Sequence, residues 1–249
     1  MGKVIITACV CALMTLAVLS HAVAAGAGTE VILIQGKARV FTKKEPAGRI
    51  LKKGDHVGAD SEVGVAEKSR MALRLPDGSV LRMDENTRVR MSDLAYNPKT
   101  EGKTMSLRLA IGKLWAKIRK LKTSDSRVEI HTANAVAGVR GTVYRVNVEK
   151  DASALVKVYD GTVYVANPPA APASEMNKSI APHEVAGPHA VPPPYHEVSR
   201  EEWTAIVAAM QQITVSPQGV PSKPQDFDPK ADADDWVRWN QELDRKTGF

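Results

Sequence analysis

Cysteine is almost absent from this sequence. Its two cysteines, Cys9 and Cys11, both lie in the first 25 residues, and the rest of the chain has no thiol. This excludes disulfide frameworks, cysteine metal sites and cysteine nucleophiles beyond that segment. Stability must therefore come from buried apolar side chains, and 249 residues are enough for one large core or two modest ones.

The signatures of common secreted enzymes are also missing. The chain contains no Gly-x-Ser-x-Gly, no His-Glu-x-x-His, no Walker loop and no Gly-x-Gly-x-x-Gly. The histidines near the proline-rich segment, His183, His189 and His196, have neither a helical nor a close ligand spacing. The sequence thus predicts a protein that is not an enzyme and has no catalytic residue, no cofactor and no metal site.

Apolar runs of the length of a membrane span are absent after the N-terminal segment. That segment has a charged start at Lys3, an apolar run from Val4 to Leu19 and small residues ending at Ala24 or Ala25. This order predicts a secretory signal peptide over residues 1–25. An uncleaved membrane anchor is the alternative. With cleavage, we predict a periplasmic or secreted protein without a stable membrane span.

Charge is distributed unevenly along the chain. Residues 101–150 contain 11 Lys and Arg against four Asp and Glu, whereas residues 151–249 contain eight against 14. Either the acidic tail folds back onto the basic body, or each half faces its own partner. For an exported protein, basic charge indicates an anionic lipid or glycan before nucleic acid. A plain solvated surface is the alternative.

Short strands separated by turn residues dominate residues 29–166. Three segments share an apolar, charged, apolar pattern followed by glycine: Leu73–Val80, Leu107–Leu114 and Val156–Val163. Two of them carry Asp-Gly, a strong hairpin signal. We therefore predict three hairpins in an all-β domain, built as an antiparallel two-sheet structure or a short coiled β structure.

The stretch from Asn134 to Val146 has two glycines that bracket Val139 and Arg140. Glycine is favoured where the backbone bends, takes positive φ or is closely approached. We predict a buried strand, a corner at residues 138–141 and a second strand. Arg140 would then be either a ligand contact presented on the corner or a surface arginine beside a structural kink.

Basic side chains alternate along the predicted strands, which places many of them on an outer sheet face. Three of them, Arg108, Lys113 and Lys117, are our candidates for binding an anionic partner. The alternative is that the charges keep the sheet soluble.

The tail is predicted to hold a linker and two short helices. Residues 167–198 are rich in Pro and Ala and read as a linker with one further strand at residues 178–185. A capping box at residues 199–202 opens a helix that ends at Pro217. A second helix is predicted from Asp232 to Lys246, with acidic residues at its start and basic residues at its end.

Two tryptophans of the second predicted helix, Trp236 and Trp239, lie on one face with Leu243. This aromatic stripe has two readings. It could serve as a carbohydrate platform or docking surface. It could instead pack the helix against the β body.

An ordered set of motifs gives these strands a family resemblance. In chain order, the motifs are L..GD in Leu51–Val57, L.L.DGS in Ser69–Ser79, L..G.L in Leu109–Trp115, T..A..GV.GT.Y in Ile130–Tyr144 and V.V.DG.V in Val156–Val163. Across about residues 30–166 the chain resembles the FecR domain of bacterial envelope proteins. The resemblance implies an all-β periplasmic domain and no catalytic site. The best-known members join that domain to a cytoplasmic anti-sigma segment through one membrane span, where this chain has a predicted signal peptide.

Two functions are consistent with this sequence. The first is a non-catalytic periplasmic module that binds or scaffolds an envelope protein or an anionic envelope polymer. The second is a glycan- or peptidoglycan-binding protein that uses the basic sheet face and the C-terminal tryptophans.

Overall fold

The computed structural model describes residues 28–168 and 203–247, to which all structural statements below refer. The predicted signal peptide and most of the predicted linker lie outside the described residues, as does the strand predicted at residues 178–185. The described part forms β-strands and one C-terminal helix. The elements are β1 (Thr29–Gln35), β2 (Ala38–Phe41), β3 (Arg49–Ile50), β4 (His56–Val57), β5 (Ser61–Val65), β6 (Arg70–Arg74), β7 (Val80–Met83), β8 (Arg88–Tyr96), β9 (Lys103–Lys117), β10 (Arg127–His131), β11 (Val136–Val139), β12 (Val143–Val148), β13 (Ala154–Asp160), β14 (Thr162–Ala166), β15 (Thr204–Ala208), β16 (Gln211–Val215), β17 (Gln225–Asp226) and α1 (Asp235–Thr247).

The strands form two sheets that share β9. Sheet A has the order β4-β1-β6-β7-β9-β12-β13-β16-β17, and its described pairs are antiparallel. Sheet B has the order β3-β2-β5-β8-β9-β10-β11-β14-β15, in which β9 and β10 run parallel. The predicted all-β, two-sheet fold is confirmed.

Strand β9 crosses from one sheet to the other at Gly112. Up to residue 111 it pairs with β8 in sheet B, and from residue 112 it pairs with β12 in sheet A. Gly112 has φ +98°, and a Cβ there would lie 2.4 Å from Oγ1 and 2.5 Å from Cα of Thr87. Only glycine combines this backbone angle with so close a neighbour.

Two further glycines mark changes of sheet. Gly141, with φ +110°, follows β11 of sheet B and precedes β12 of sheet A. Gly161, with φ +84°, separates β13 of sheet A from β14 of sheet B. The predicted corner at residues 138–141 is therefore present. Of the three predicted hairpins only the first, at Asp77-Gly78 between β6 and β7, is correct, because the other two glycines carry the chain between sheets.

One apolar core fills the space between the sheets. Met105, Leu107 and Leu109 enter it from the sheet B half of β9, and Leu114 and Ala116 enter it from the sheet A half. All five side chains are fully buried. Burial of a large apolar side chain contributes about 1.5–3 kcal/mol. Because the inward positions change from odd to even numbers at Gly112, Arg108 in the first half of β9 and Lys113 and Lys117 in the second half point outward, whereas Lys103 at the start of the strand is buried.

The first predicted C-terminal helix is wrong. Residues 204–215 form β15, which extends sheet B, and β16, which extends sheet A, with a turn at Met210 (φ 62°) between them. The apolar residues of this segment fit the alternation of a strand as well as they fit the spacing of a helix. In the structure Val207, Ile213 and Val215 are buried, while Ile206 is 59% exposed. Pairing with the open edges of the two sheets favours strands over a helix here. The β structure therefore continues beyond the predicted boundary at residue 166.

The second predicted helix is confirmed as α1. Its first turn is capped by Asp234, whose Oδ1 accepts a hydrogen bond of 2.8 Å from the backbone N–H of Val237. Within the described ranges, no helix has both the length and the apolar character needed to cross a membrane.

Candidate functional site

A row of basic and aromatic side chains crosses the outer face of sheet A. The strand register places Arg82 of β7 opposite Trp115 of β9, Trp115 opposite Arg145 of β12, and Arg145 opposite Lys157 of β13. Residues directly opposite in neighbouring strands share a face. Lys117 lies two residues from Trp115 and therefore faces the same way. We call Arg82, Trp115, Lys117, Arg145 and Lys157 the basic face.

The acidic C-terminal segment, residues 227–247, lies on the basic face. Its first attachment is Asp232, whose Oδ1 accepts hydrogen bonds of 2.6 Å from Arg145 and 2.6 Å from Lys157. Its Oδ2 accepts a third, of 2.5 Å, from the Tyr159 hydroxyl. Burial, together with the bond to this carboxylate, raises the pKa of Tyr159, so the phenol stays protonated and donates. The side chains of Asp232 and Arg145 are only 7% and 6% exposed.

The second attachment is Asp244, near the end of α1. Its Oδ1 accepts a hydrogen bond of 2.8 Å from Arg82, and its Oδ2 accepts one of 3.0 Å from the indole N–H of Trp115. The Nζ of Lys117 lies 3.6 Å from the same carboxylate and donates to the Asp244 carbonyl. Arg82 is 2% exposed, so Asp244 supplies the negative charge that its buried guanidinium requires.

Aromatic side chains seal the contact between the two attachments. Trp236 is 2% exposed and packs in one cluster with Trp115 and Tyr159. Trp239 stacks on Trp236 with ring centroids 5.2 Å apart, and the Arg70 guanidinium lies about 5.5 Å from both rings. Arg70 also donates to Asp235, and this hydrogen bond lowers the pKa of Asp235.

Several buried polar atoms at this contact have no hydrogen-bond partner within the described residues. On the sheet they are Nε of Arg145, Oδ1 of Asn147 and Oε1 of Gln212, and on the helix they are Nε1 of Trp236 and Oδ1 of Asn240. Each unsatisfied buried atom costs about 1–3 kcal/mol. The contact therefore combines two carboxylates that are each bound by several donors with unpaired polar groups around them.

The structure separates the six candidate residues into three places. Lys117, Trp236 and Trp239 lie at the contact between the basic face and the C-terminal segment, and Lys113 lies at its margin, 3.7 Å from Asp84. Arg108 is exposed on the outer face of sheet B, because β9 changes sheet between Arg108 and Lys113. Arg140 is exposed on the corner next to Gly141.

Two consequences follow for the predicted surfaces. Arg108, Lys113 and Lys117 do not form one continuous basic face. The indole of Trp236 packs inside the protein and does not offer a platform to a glycan. In the structure, the acidic tail folds back onto the basic body. The tryptophan stripe packs the helix against the β body.

The residues that sequence reasoning missed are the buried partners Arg82, Asp232, Asp244 and Tyr159. In the sequence, these residues were indicated only by the uneven distribution of charge, with a basic body followed by an acidic tail. Which carboxylate meets which cation depends on the strand register and on the path of residues 217–231, which no local pattern specifies.

Charge reversal at two of the candidates should have different effects. Lys117→Glu places a carboxylate beside Asp244 and is expected to lower the free energy of unfolding by about 2 kcal/mol. Arg108→Glu alters an exposed face and should change it by less than about 0.5 kcal/mol. Urea denaturation followed by tryptophan fluorescence compares the two. Equal effects would contradict the placement of Lys117 under the C-terminal segment.

Comparison with known proteins confirms the predicted resemblance. Residues 61–164 match the model of the family described as FecR protein, which covers β5 to β14. The chain is similar to two crystal structures of a proposed anti-sigma factor from Parabacteroides distasonis ATCC 8503, at 1.65 and 2.50 Å resolution, with 15% and 16% identity and a TM-score of 0.45 each. Each alignment covers 68% of this chain and 61% of that protein. No curated protein matches this sequence.

Proposed function

We propose that this protein is a non-catalytic binding module of the bacterial cell envelope, exported to the periplasm, that recognises a partner protein and has a regulatory or scaffolding role. The FecR match over residues 61–164 supports the envelope setting and the regulatory role. The N-terminal pattern of charge, apolar run and small residues supports export.

The observation that carries the proposal is the contact between the basic face and the C-terminal segment. Here the FecR-type sandwich holds an acidic, aromatic segment through two carboxylates, each bound by several donors. Bonds of this kind are directional and about twice as strong as those between neutral groups. The sandwich thus carries a surface built to recognise acidic polypeptide.

The proposal can be tested by photo-crosslinking in cells that carry the native protein. A photoreactive amino acid replaces Arg108, Arg140 or Lys113, one at a time, so that sheet B, the corner and the margin of the basic face are sampled. Lys53, exposed in a turn, is the matched control position. The fraction released by osmotic shock is then analysed for adducts by mass spectrometry.

We expect one protein adduct to form in the released fraction at one or more of the three test positions and to be absent at Lys53. The position that reacts identifies the binding surface. Adducts no more frequent at the three positions than at Lys53, or retention of the protein in the cytoplasmic fraction, would contradict the proposal.

A further inference from the structure

The C-terminal segment contacts the basic face as a ligand contacts a receptor. Its charged anchors, Asp232 and Asp244, both reach across to side chains of sheet A. Between them, Trp236 and Val237 bury their side chains against Trp115 and Tyr159. An acidic amphipathic segment with a central tryptophan is therefore the shape and charge that this face accepts.

Unpartnered buried polar atoms are concentrated at this contact. Of the eight buried side-chain N and O atoms without a partner in residues 28–168 and 203–247, five lie on the outer face of sheet A or on the helix above it. Counted as whole residues, Arg145 and Asn147 on the sheet are 5% and 6% exposed, so these groups are well buried. Buried polar groups are normally paired in native proteins. A second segment that paired the three sheet atoms, Nε of Arg145, Oδ1 of Asn147 and Oε1 of Gln212, would make hydrogen bonds that the resident segment does not make.

We propose, building on the binding function above, that residues 227–247 are an intramolecular ligand and that the partner of the basic face is an acidic amphipathic segment of another protein. This partner segment presents two carboxylates to Arg82 and Arg145 and an aromatic side chain between them. It binds by displacing the C-terminal segment.

Displacement imposes a defined competition. A tethered ligand acts at an effective concentration in the millimolar range, so it suppresses binding of a free competitor. The apparent dissociation constant of the competitor is the intrinsic one divided by the fraction of molecules that are open, so it increases as that fraction falls. A substitution that weakens an anchor of the C-terminal segment and leaves the basic face unchanged must therefore strengthen the binding of an added peptide.

The experiment uses the full mature chain and a fluorescein-labelled peptide with the sequence of residues 226–247. Asp232→Ala removes an anchor from the resident segment and leaves Arg145, Lys157 and Tyr159 in place on the face. We expect the peptide to bind this variant at least about 10-fold more tightly than the unsubstituted chain by fluorescence anisotropy. Asp244→Asn, a milder change, should act in the same direction.

Three controls identify the site. Glu242→Ala changes the exposed side of α1, so peptide binding should equal that of the unsubstituted chain. Arg145→Ala, added to Asp232→Ala, removes a face residue and should abolish the gain. A peptide of the same composition in scrambled order should bind at least about 10-fold more weakly than the native-order peptide.

Three results would overturn the proposal: no binding of the peptide to folded variants, equal binding of the scrambled peptide, or loss of the β circular dichroism signal in both Asp232→Ala and Asp244→Asn. The last would mean that the segment is an inseparable part of the fold. Any of them would leave the photo-crosslinking result at Arg108 or Arg140 standing, so the wider binding function is judged separately.

Discussion

Asp244→Ala is expected to lower the free energy of unfolding by about 3 kcal/mol. The substitution leaves the guanidinium of Arg82, 2% exposed, without the carboxylate that now lies 2.8 Å away. It also removes the acceptor of the Trp115 indole N–H. Leaving a buried charge without its partner is among the most destabilising single changes, and here it acts on both sheet and helix. Urea denaturation at pH 7 measures the loss.

The matched control for this prediction is Glu242→Ala on the same helix. Glu242 pairs with Lys246 on the exposed side of α1, where solvent screens the interaction. We expect a much smaller change in the urea midpoint than for Asp244→Ala. Similar midpoints for the two variants would show that Asp244 does not neutralise Arg82.

Gly112→Ala is expected to destabilise the sandwich by at least about 3 kcal/mol, because two costs add. The first is the positive φ of +98°, which alanine adopts only with strain. The second is the clash of the new Cβ with the backbone of Thr87 at 2.5 Å, which cannot be relieved by rotating a side chain. Thermal denaturation followed by circular dichroism, together with the soluble yield, measures the effect.

Gly54→Ala separates these two costs. Gly54 has a similar φ of +88°, but a Cβ there would have no atom within 4 Å. We expect a loss of only about 1 kcal/mol from backbone strain alone. If the two alanine variants were equally stable, the tight crossing of β9 at Gly112 would be disproved.

The parts of this fold that follow from short sequence patterns were predictable. Alternating apolar residues indicated buried strands, Asp77-Gly78 indicated a hairpin, and the acidic start and basic end of α1 indicated a helix. Each of these signals acts over a few residues, where local sterics and capping determine the backbone. The ordered motifs were sufficient for the FecR resemblance, which is confirmed over residues 61–164.

The failures concern long-range choices. The segment around Val207 and Ile213 fits a helix and a hairpin about equally, and its structure is decided by the edges of β14 and β13, to which it pairs. The glycines at 112 and 161 resemble hairpin turns in sequence, but they carry the chain between sheets. In both cases tertiary pairing overrides a local preference.

The contacts of the functional site were even less predictable from local sequence patterns than the fold. Arg82 and Asp244 are 162 residues apart in sequence and 2.8 Å apart in space. For the charge asymmetry, the folded-back tail was one of two interpretations, and for the aromatic stripe the packed helix was one of two. The particular pairs required the register of sheet A, which places Arg82, Trp115 and Arg145 in one row.

A double-mutant cycle on Arg145 and Asp232 measures whether the C-terminal segment is held on the basic face. Their side chains meet at 2.6 Å and are 6% and 7% exposed, whereas those of the control pair Arg88 and Glu62 meet at 2.8 Å and are 57% and 33% exposed. With alanine at each position, docking of the C-terminal segment predicts a coupling energy of about 2 kcal/mol for the first pair and below about 1 kcal/mol for the second. A coupling energy near zero between Arg145 and Asp232 would mean that the acidic segment is not held on the basic face.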